Sequence, residues 1–203
     1  MVNWEYILSF EDIESNLINA IAQLNANDFY LLRYNVSERS IAHKLAQYLT
    51  LFFPDYDVDC EYNANVEADN GKKYIMLLKS VADSYGLLQK NKKDQELVLR
   101  NVYPDIIIHK RGRNRNNLLI IEIKKSSSNI SCEYDIEKLK RYTSSDDENL
   151  LRYSFGAFIY LGVEKELGKN RICWFKNGNK YETGIGDNQQ KAKNNEKRKN
   201  KNR

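Results

Sequence analysis

Three charged residues lie at the ends of apolar segments that should form strands. Asp105 precedes the apolar residues 106–108, and Glu122 and Lys124 end an apolar run that begins at residue 118. Because strand residues two apart share a face, Glu122 and Lys124 should project to the same side of a sheet. A buried carboxylate persists only when it is paired or binds a metal ion. Two carboxylates from neighbouring strands therefore predict an oxygen-rich site for Mg²⁺ or Mn²⁺.

Lys124 would have a role of its own beside such a cation. Its ammonium group could stabilise negative charge that develops on a phosphate, or orient the attacking water. An alternative stays open, in which Asp105 and Lys124 form a cross-strand ion pair and Glu122 is solvated. The same three residues thus predict either a phosphate-directed metal site or a structural ion pair.

The flanking segments predict a β-hairpin that would hold these residues in the centre of a sheet. Residues 103–109 and 118–124 are rich in Ile and Leu, and the segment between them, KRGRNRNN, contains Gly and Asn residues that suit a turn. Since both faces of the two strands carry apolar side chains, helices should cover the sheet on both sides. The predicted fold class is α/β.

Hydrophobic periodicity predicts the other elements. Helices are expected over residues 10–26, from Ser37 to just before Pro54, and over 133–143, and strands over 57–63, 154–163 and 171–175. Residues 74–88 have helical spacing and are predicted as a helix within an insertion at about 65–100. The chain of 203 residues has the length of one domain, which we assign to residues 1–188.

Two tripeptides of the hairpin resemble a known signature. Tyr-Pro-Asp at 103–105, followed by Glu-Ile-Lys at 122–124, resembles the PD-(D/E)XK motif of restriction-endonuclease-like nucleases. The resemblance covers about residues 37–163, where the predicted elements follow the order αβββαβ. It implies a three-layer α/β sandwich around a mixed sheet of four or five strands, with the motif on the central hairpin.

The resemblance also implies a role for each residue of the motif. Asp105, Glu122 and the backbone carbonyl of Ile123 would bind Mg²⁺ or Mn²⁺, Lys124 would be the catalytic lysine, and Glu38 would be an auxiliary catalytic acid and a further candidate ligand. The first turn of a helix favours an acidic residue on electrostatic grounds alone, so that Glu38 has a structural explanation as well.

The activity that the resemblance implies is hydrolysis of phosphodiester bonds by a metal-activated water, with DNA preferred over RNA as the substrate. Two alternatives remain open. One is a nucleic-acid-binding or protein-interaction module that keeps the nuclease fold without cleaving. The other is a nuclease subunit that depends on a separate recognition protein, and a homodimer is a further arrangement that proteins of this type adopt.

Basic residues supply candidate contacts to nucleic acid. Arg111, Arg113 and Arg115 lie in the predicted hairpin turn, where a solvated basic turn is the alternative, and Lys138 lies on the following helix. The net charge is +4, yet residues 191–203 hold seven Lys or Arg and one Glu, so the preceding 190 residues carry −2. Residues 189–203 are predicted as a disordered basic tail that binds phosphates or aids solubility.

The composition excludes several classes of protein. Hydrophobic residues make up 41% and charged residues 30% of the chain, which is typical of a globular domain. The sequence contains no apolar run long enough to span a bilayer, and its acidic N-terminal segment lacks the features of a signal peptide, which predicts a cytoplasmic protein. The three cysteines have no zinc-site spacing and are predicted to be inert thiols.

Overall fold

The computed structural model describes residues 8–65, 68, 71–87, 97–146, 149 and 151–182. The predicted basic tail at 189–203 and parts of the predicted insertion lie outside these residues. Within the described residues, no helix combines the length and the apolar character that crossing a membrane requires.

Three helices come first in the chain, and strands interrupted by helices follow. In order they are α1 (Phe10–Asn27), α2 (Phe29–Arg33), α3 (Glu38–Phe52), β1 (Asp57–Cys60), β2 (Tyr74–Leu78), α4 (Lys79–Ser84), β3 (Leu97–Asn101), β4 (Ile106–His109), β5 (Leu119–Lys125), α5 (Glu133–Thr143), β6 (Phe155–Leu161), a 3₁₀ turn (Glu164–Glu166), β7 (Arg171–Lys176) and β8 (Asn179–Tyr181). Six strands form one sheet in the order β1-β4-β5-β6-β7-β8, and β2 pairs with β3. In the six-stranded sheet the β5–β6 pair is parallel and the other pairs are antiparallel.

The central strands are buried on both faces, because successive side chains point to opposite sides of the sheet. On one face, Ile106 and Ile121 pack in a cluster with apolar side chains of α1 and α3. On the other face, Ile107 and Ile120 pack with residues of α5, α4 and β2. The predicted α/β class, the mixed sheet and the covering of both faces are therefore confirmed.

Side-chain caps fix where the first helices begin. The Ser9 side chain accepts from the Asp12 N–H at 3.1 Å, and the Asp12 carboxylate accepts from the Ser9 N–H at 3.0 Å, which forms a capping box at the start of α1. Ser37 Oγ accepts from the Ser40 N–H at 3.2 Å, so that α3 begins at Glu38. This cap places the carboxylate of Glu38 in the first turn of the helix.

Two predictions about the sheets are wrong. The helix expected over residues 74–88 is instead strand β2 followed by the short helix α4, because Ile75 and Leu77 alternate into the core while β2 pairs with β3. The large sheet has six strands rather than four or five, because the short strand β8 extends its edge beyond β7.

The first strand is also shorter than the segment 57–63 expected for it. β1 ends at Cys60, and Glu61 adopts a φ of 49°, which turns the chain away from the sheet. The N–H of Glu61 donates to the carbonyl of Pro104 at 3.0 Å. This hydrogen bond ties the end of β1 to the residues that precede β4, one of which is Asp105.

Candidate active site

The carboxyl end of β5 extends past the end of its neighbour β4. The two strands pair from Ile108 and Leu119 to Ile106 and Ile121, and β5 then continues to Lys125. Its next backbone N–H groups on that side would have no strand partner. Carboxylates from two other parts of the chain take the place of the missing strand.

Asp105 and Glu38 are these two carboxylates. The N–H of Ile123 donates to Asp105 Oδ2 at 2.7 Å, and the N–H of Lys125 donates to Glu38 Oε2 at 3.1 Å. Asp105 therefore lies one residue before β4, in line with the strand, and Glu38 reaches the same edge from the first turn of α3. The two acids meet at one backbone segment although 67 positions separate them in the sequence.

The backbone carbonyl of Ile123 points to the same edge. In a strand the N–H and C=O of one residue face the same neighbour, and the N–H of Ile123 faces Asp105. Two members of the predicted ligand set, Asp105 and the Ile123 carbonyl, thus lie on one side of β5.

Glu122 points to the face covered by α5. Its side chain is 3% exposed. Glu122 Oε2 accepts from Lys138 Nζ at 2.7 Å, and Oε1 accepts from the Tyr142 hydroxyl at 3.3 Å. The alternative in which Glu122 is solvated is therefore wrong, because a helix buries this carboxylate and supplies its partners.

Asp135 of α5 completes a chain of ion pairs that sequence reasoning missed. Its two carboxylate oxygens lie 2.9 Å from Lys124 Nζ and 2.9 Å from Lys138 Nζ. Lys124 therefore pairs with Asp135 and not with Asp105 as the ion-pair alternative expected. The spacing of residues 135, 138 and 142 on one helix face was the available signal, since residues three or four apart on a helix are neighbours.

Burial and repulsion between carboxylates raise the pKa of both central acids. Burial raises the pKa of Asp105 to about 6, with Glu38 and Asp135 adding to the effect, although the Ile123 N–H and Lys138 oppose it. Burial raises the pKa of Glu122 to about 8, and the nearby Asp105 and Asp135 contribute. Loss of solvent is thus the main cause at both residues, and it favours the neutral acid.

At the two lysines, nearby carboxylates favour the charged form of the side chain. Burial alone would lower the pKa of Lys138, but Glu122 and Asp135 outweigh it and the net shift is upward. The pKa of Lys124 is also raised, because Asp135 outweighs partial burial. The two shifts disagree about the protonation of the pair, because a raised pKa at Glu122 favours the neutral acid whereas a raised pKa at Lys138 requires ionised carboxylates beside it. We take Lys138 as the ammonium, because it contacts two carboxylates, and Glu122 as the group that gains or loses a proton.

Without divalent cations, the free energy of unfolding should fall as the pH rises from about 4 to about 6, and Asp105→Asn should remove much of that fall. Folded Asp105 keeps its proton to a pH of about 6, whereas the unfolded carboxyl loses it near 3.8. Rising pH between these values therefore favours the unfolded chain, by up to about 3 kcal/mol. Urea unfolding of both proteins in a chelating buffer measures the difference, and identical pH profiles would contradict the raised pKa.

The donor set has the chemistry that a hard divalent cation requires. Glu38, Asp105, Glu122 and Asp135 lie around the end of β5 with three ammonium groups, those of Lys124, Lys125 and Lys138, which leaves one negative charge in excess when all seven ionise. The described parts of the chain contain no group of three or more His, Cys, Asp or Glu side chains placed to hold a metal ion. Mg²⁺ needs only one or two carboxylates besides waters and substrate oxygens, so the residues fit it at Asp105 and the Ile123 carbonyl.

Glu122 would have to exchange partners to bind the same cation as Asp105 and the Ile123 carbonyl. Both of its oxygens are hydrogen bonded, to Lys138 and Tyr142. A cation near Asp105 would lower the pKa of Glu122, since positive charge favours the carboxylate, and it would compete with Lys138 for the carboxylate oxygens.

The basic residues that were predicted to contact nucleic acid lie at the far end of β4 or form ion pairs with carboxylates of the protein. Arg111, Arg113 and Arg115 follow β4 at the hairpin turn, which is the opposite end of the strand from Asp105, about 20 Å away at about 3.3 Å per residue. Arg111 also forms an ion pair with Asp59. Lys138 lies inside the site, where its side chain is 12% exposed.

Comparison of the chain with protein-family models, with curated proteins and with solved structures found no match.

Proposed function

We propose that the protein is a metal-dependent nuclease that hydrolyses phosphodiester bonds, with DNA as the preferred substrate and a restriction-endonuclease-like core. One observation carries the proposal: Asp105 and Glu38 meet at the open edge of β5, beside Glu122 and Lys124 of the same strand. An ordinary strand end does not need four ionisable side chains, because burying them costs free energy.

Each residue then has a role. Asp105, the Ile123 carbonyl and Glu122 would hold Mg²⁺ or Mn²⁺, with Glu38 as an additional acid. The cation would supply a Lewis acid and an activated water. Lys124 is held at 2.9 Å by Asp135, which keeps its ammonium on the face that carries Glu122. There it would stabilise the negative charge that develops on the phosphate.

A second candidate is a binding module that keeps the fold and does not cleave. The observation in its favour is the chain of ion pairs from Lys124 through Asp135 and Lys138 to Glu122. These contacts pair each of the four groups without a metal ion. A network of this kind also stabilises structure in proteins that have no activity.

A substrate panel tests the proposal. Labelled single- and double-stranded DNA and RNA are incubated with the full chain and Mg²⁺, Mn²⁺ or a chelator. We expect metal-dependent cleavage that Asp105→Ala and Lys124→Ala each reduce by about 10²-fold or more. Lys169→Ala, at an exposed position, should cleave as the wild type does. Absence of cleavage of all four substrates with either metal would reject the nuclease in favour of the binding module.

A further inference from the structure

Three exposed aromatic side chains cluster on the short helix α2 and the residue after it. Tyr30 is 61% exposed and Tyr34 is 59% exposed, and their ring centroids lie 4.3 Å apart with the planes tilted by 35°. Phe29, 41% exposed, has its ring centroid 5.9 Å from that of Tyr30. We call these three residues the aromatic cluster. Adjacent large apolar side chains in contact with solvent are typical of interaction sites.

Hydrogen bonds tie the chain beyond this cluster to the end of β5. Lys125 Nζ donates to the carbonyl of Val36 at 2.7 Å, and the Lys125 N–H donates to Glu38 at 3.1 Å. Glu38 is four residues beyond Tyr34. Because four residues span at most about 14 Å, the Cα atom of Tyr34 lies within that distance of the Cα atom of Glu38. The aromatic cluster is therefore a neighbour of the candidate active site.

Basic side chains lie around the cluster. Arg33, in the last turn of α2, is exposed. Helix α2 packs against the 3₁₀ turn, whose Lys165 is also exposed. Glu164 of this turn accepts from Asn35 Nδ2 at 3.1 Å, which joins the turn to the residue after Tyr34. Exposed cations beside aromatic rings are complementary to a chain that carries phosphates and flat bases.

We propose that the aromatic cluster is a stacking platform for unpaired bases, so that the nucleic acid at the candidate active site contains a single-stranded segment. The position of the cleaved bond relative to the platform rests on the proposed nuclease function. Base stacking on aromatic rings tolerates any sequence because every base has a π-face, whereas an intact duplex keeps those faces within its own stack. At about 3.4 Å per stacked nucleotide, about four nucleotides would bridge the distance to Glu38.

Binding without cleavage tests the platform. Fluorescence anisotropy of the full chain in a chelating buffer would measure affinity for a labelled 12-nucleotide DNA, the matching RNA and the DNA duplex of the same sequence. The Tyr30→Ala/Tyr34→Ala variant should bind the single strands at least about tenfold more weakly and the duplex within about twofold of wild type. Tyr30→Phe/Tyr34→Phe keeps both rings and should retain single-strand affinity.

Leu51→Ala is the matched surface control. Leu51 is 71% exposed at the far end of α3, about 20 Å along the helix from Glu38. This variant should bind as the wild type does, and circular dichroism checks that all the variants fold.

Two results would overturn the platform: a single-strand affinity that does not change when both tyrosine rings are removed, or a wild type that does not bind single strands. Either result would leave a protein partner as the occupant of this surface. The assay contains no metal ion, so its result is independent of cleavage. Cleavage by wild type together with tyrosine-independent binding would reject only the platform. Tyrosine-dependent binding without cleavage in Mg²⁺ or Mn²⁺ would reject only the nuclease.

Discussion

Replacing Asp105 with asparagine should lower metal-dependent cleavage by about a hundredfold or more while the fold is kept. The asparagine oxygen can still accept the Ile123 N–H, which Asp105 accepts at 2.7 Å, but it brings no negative charge to a cation. Since burial raises the pKa of Asp105 to about 6, its charge at pH 7 is unfavourable without metal. The free energy of unfolding in chelator should therefore be unchanged or higher in Asp105→Asn. Initial cleavage rates and urea unfolding of the same preparations measure the two effects.

Two further variants separate charge from structure. Asp105→Ala removes the acceptor as well and should lose about 1–3 kcal/mol of stability in addition to the activity, because the Ile123 N–H is left without its partner. Asp55→Asn, at an exposed position just before β1 and at the opposite end of β4 from Asp105, should keep full activity. A cleavage rate of Asp105→Asn within tenfold of the wild-type rate would show that Asp105 is not a metal ligand.

Replacing Lys138 with methionine should destabilise the protein by about 3–5 kcal/mol at pH 9, because two buried carboxylates lose their shared ammonium. The loss should be smaller at pH 5. Burial already raises the pKa of Glu122 to about 8 in the presence of Lys138, so Glu122 can take up a proton at pH 5 and avoid an unpaired charge. Urea unfolding at the two pH values measures the difference.

A double-mutant cycle isolates the pair from other effects of the substitution. Glu122→Gln combined with Lys138→Met removes both charges, and the double variant should recover part of the stability that Lys138→Met loses at pH 9. Lys140→Met, at a position 44% exposed on the same helix, is the control and should change stability by less than about 1 kcal/mol. Equal losses at pH 5 and pH 9 would contradict a titrating Glu122 opposite Lys138.

The central hairpin and the main helices could be predicted because their signals are local. Runs of β-branched residues predicted β4 and β5, and Ser37 marked the start of α3. The expectation that Glu122 and Lys124 share a face also follows from strand periodicity alone. Both residues face α5, where Lys138 and Asp135 contact them.

The parts that could not be predicted depend on which elements meet in space. The helical spacing of 135, 138 and 142 is visible in the sequence, but nothing local identifies β5 as the strand that this face contacts. The spacing of apolar residues over 74–88 favoured a helix, but a short apolar run such as 74–78 can also form a buried strand, and pairing with β3 decides for the strand there. The position of Asp105 just before β4 likewise depends on a hydrogen bond to another strand.

The arrangement of the hairpin changes how its basic turn is interpreted. The turn was a candidate for contacts to nucleic acid, with a solvated basic turn as the alternative, and it lies at the opposite end of β4 from Asp105. Arg111 is held there by Asp57 and Asp59. The aromatic cluster on α2 lies at the site end instead, in a helix that the sequence analysis did not predict.

Calorimetric titration of the full chain with Mn²⁺ tests most directly whether the carboxylates at the end of β5 hold a divalent cation. Wild type should bind the metal with saturation, and affinity should increase from pH 6 to pH 8, because Asp105 and Glu122 have raised pKa values and must lose their protons to bind it. Asp105→Asn should bind far more weakly, while Asp55→Asn should match the wild type. Saturable binding that is equal in wild type and Asp105→Asn, or no binding by wild type at pH 8, would contradict a metal site at this edge of the sheet.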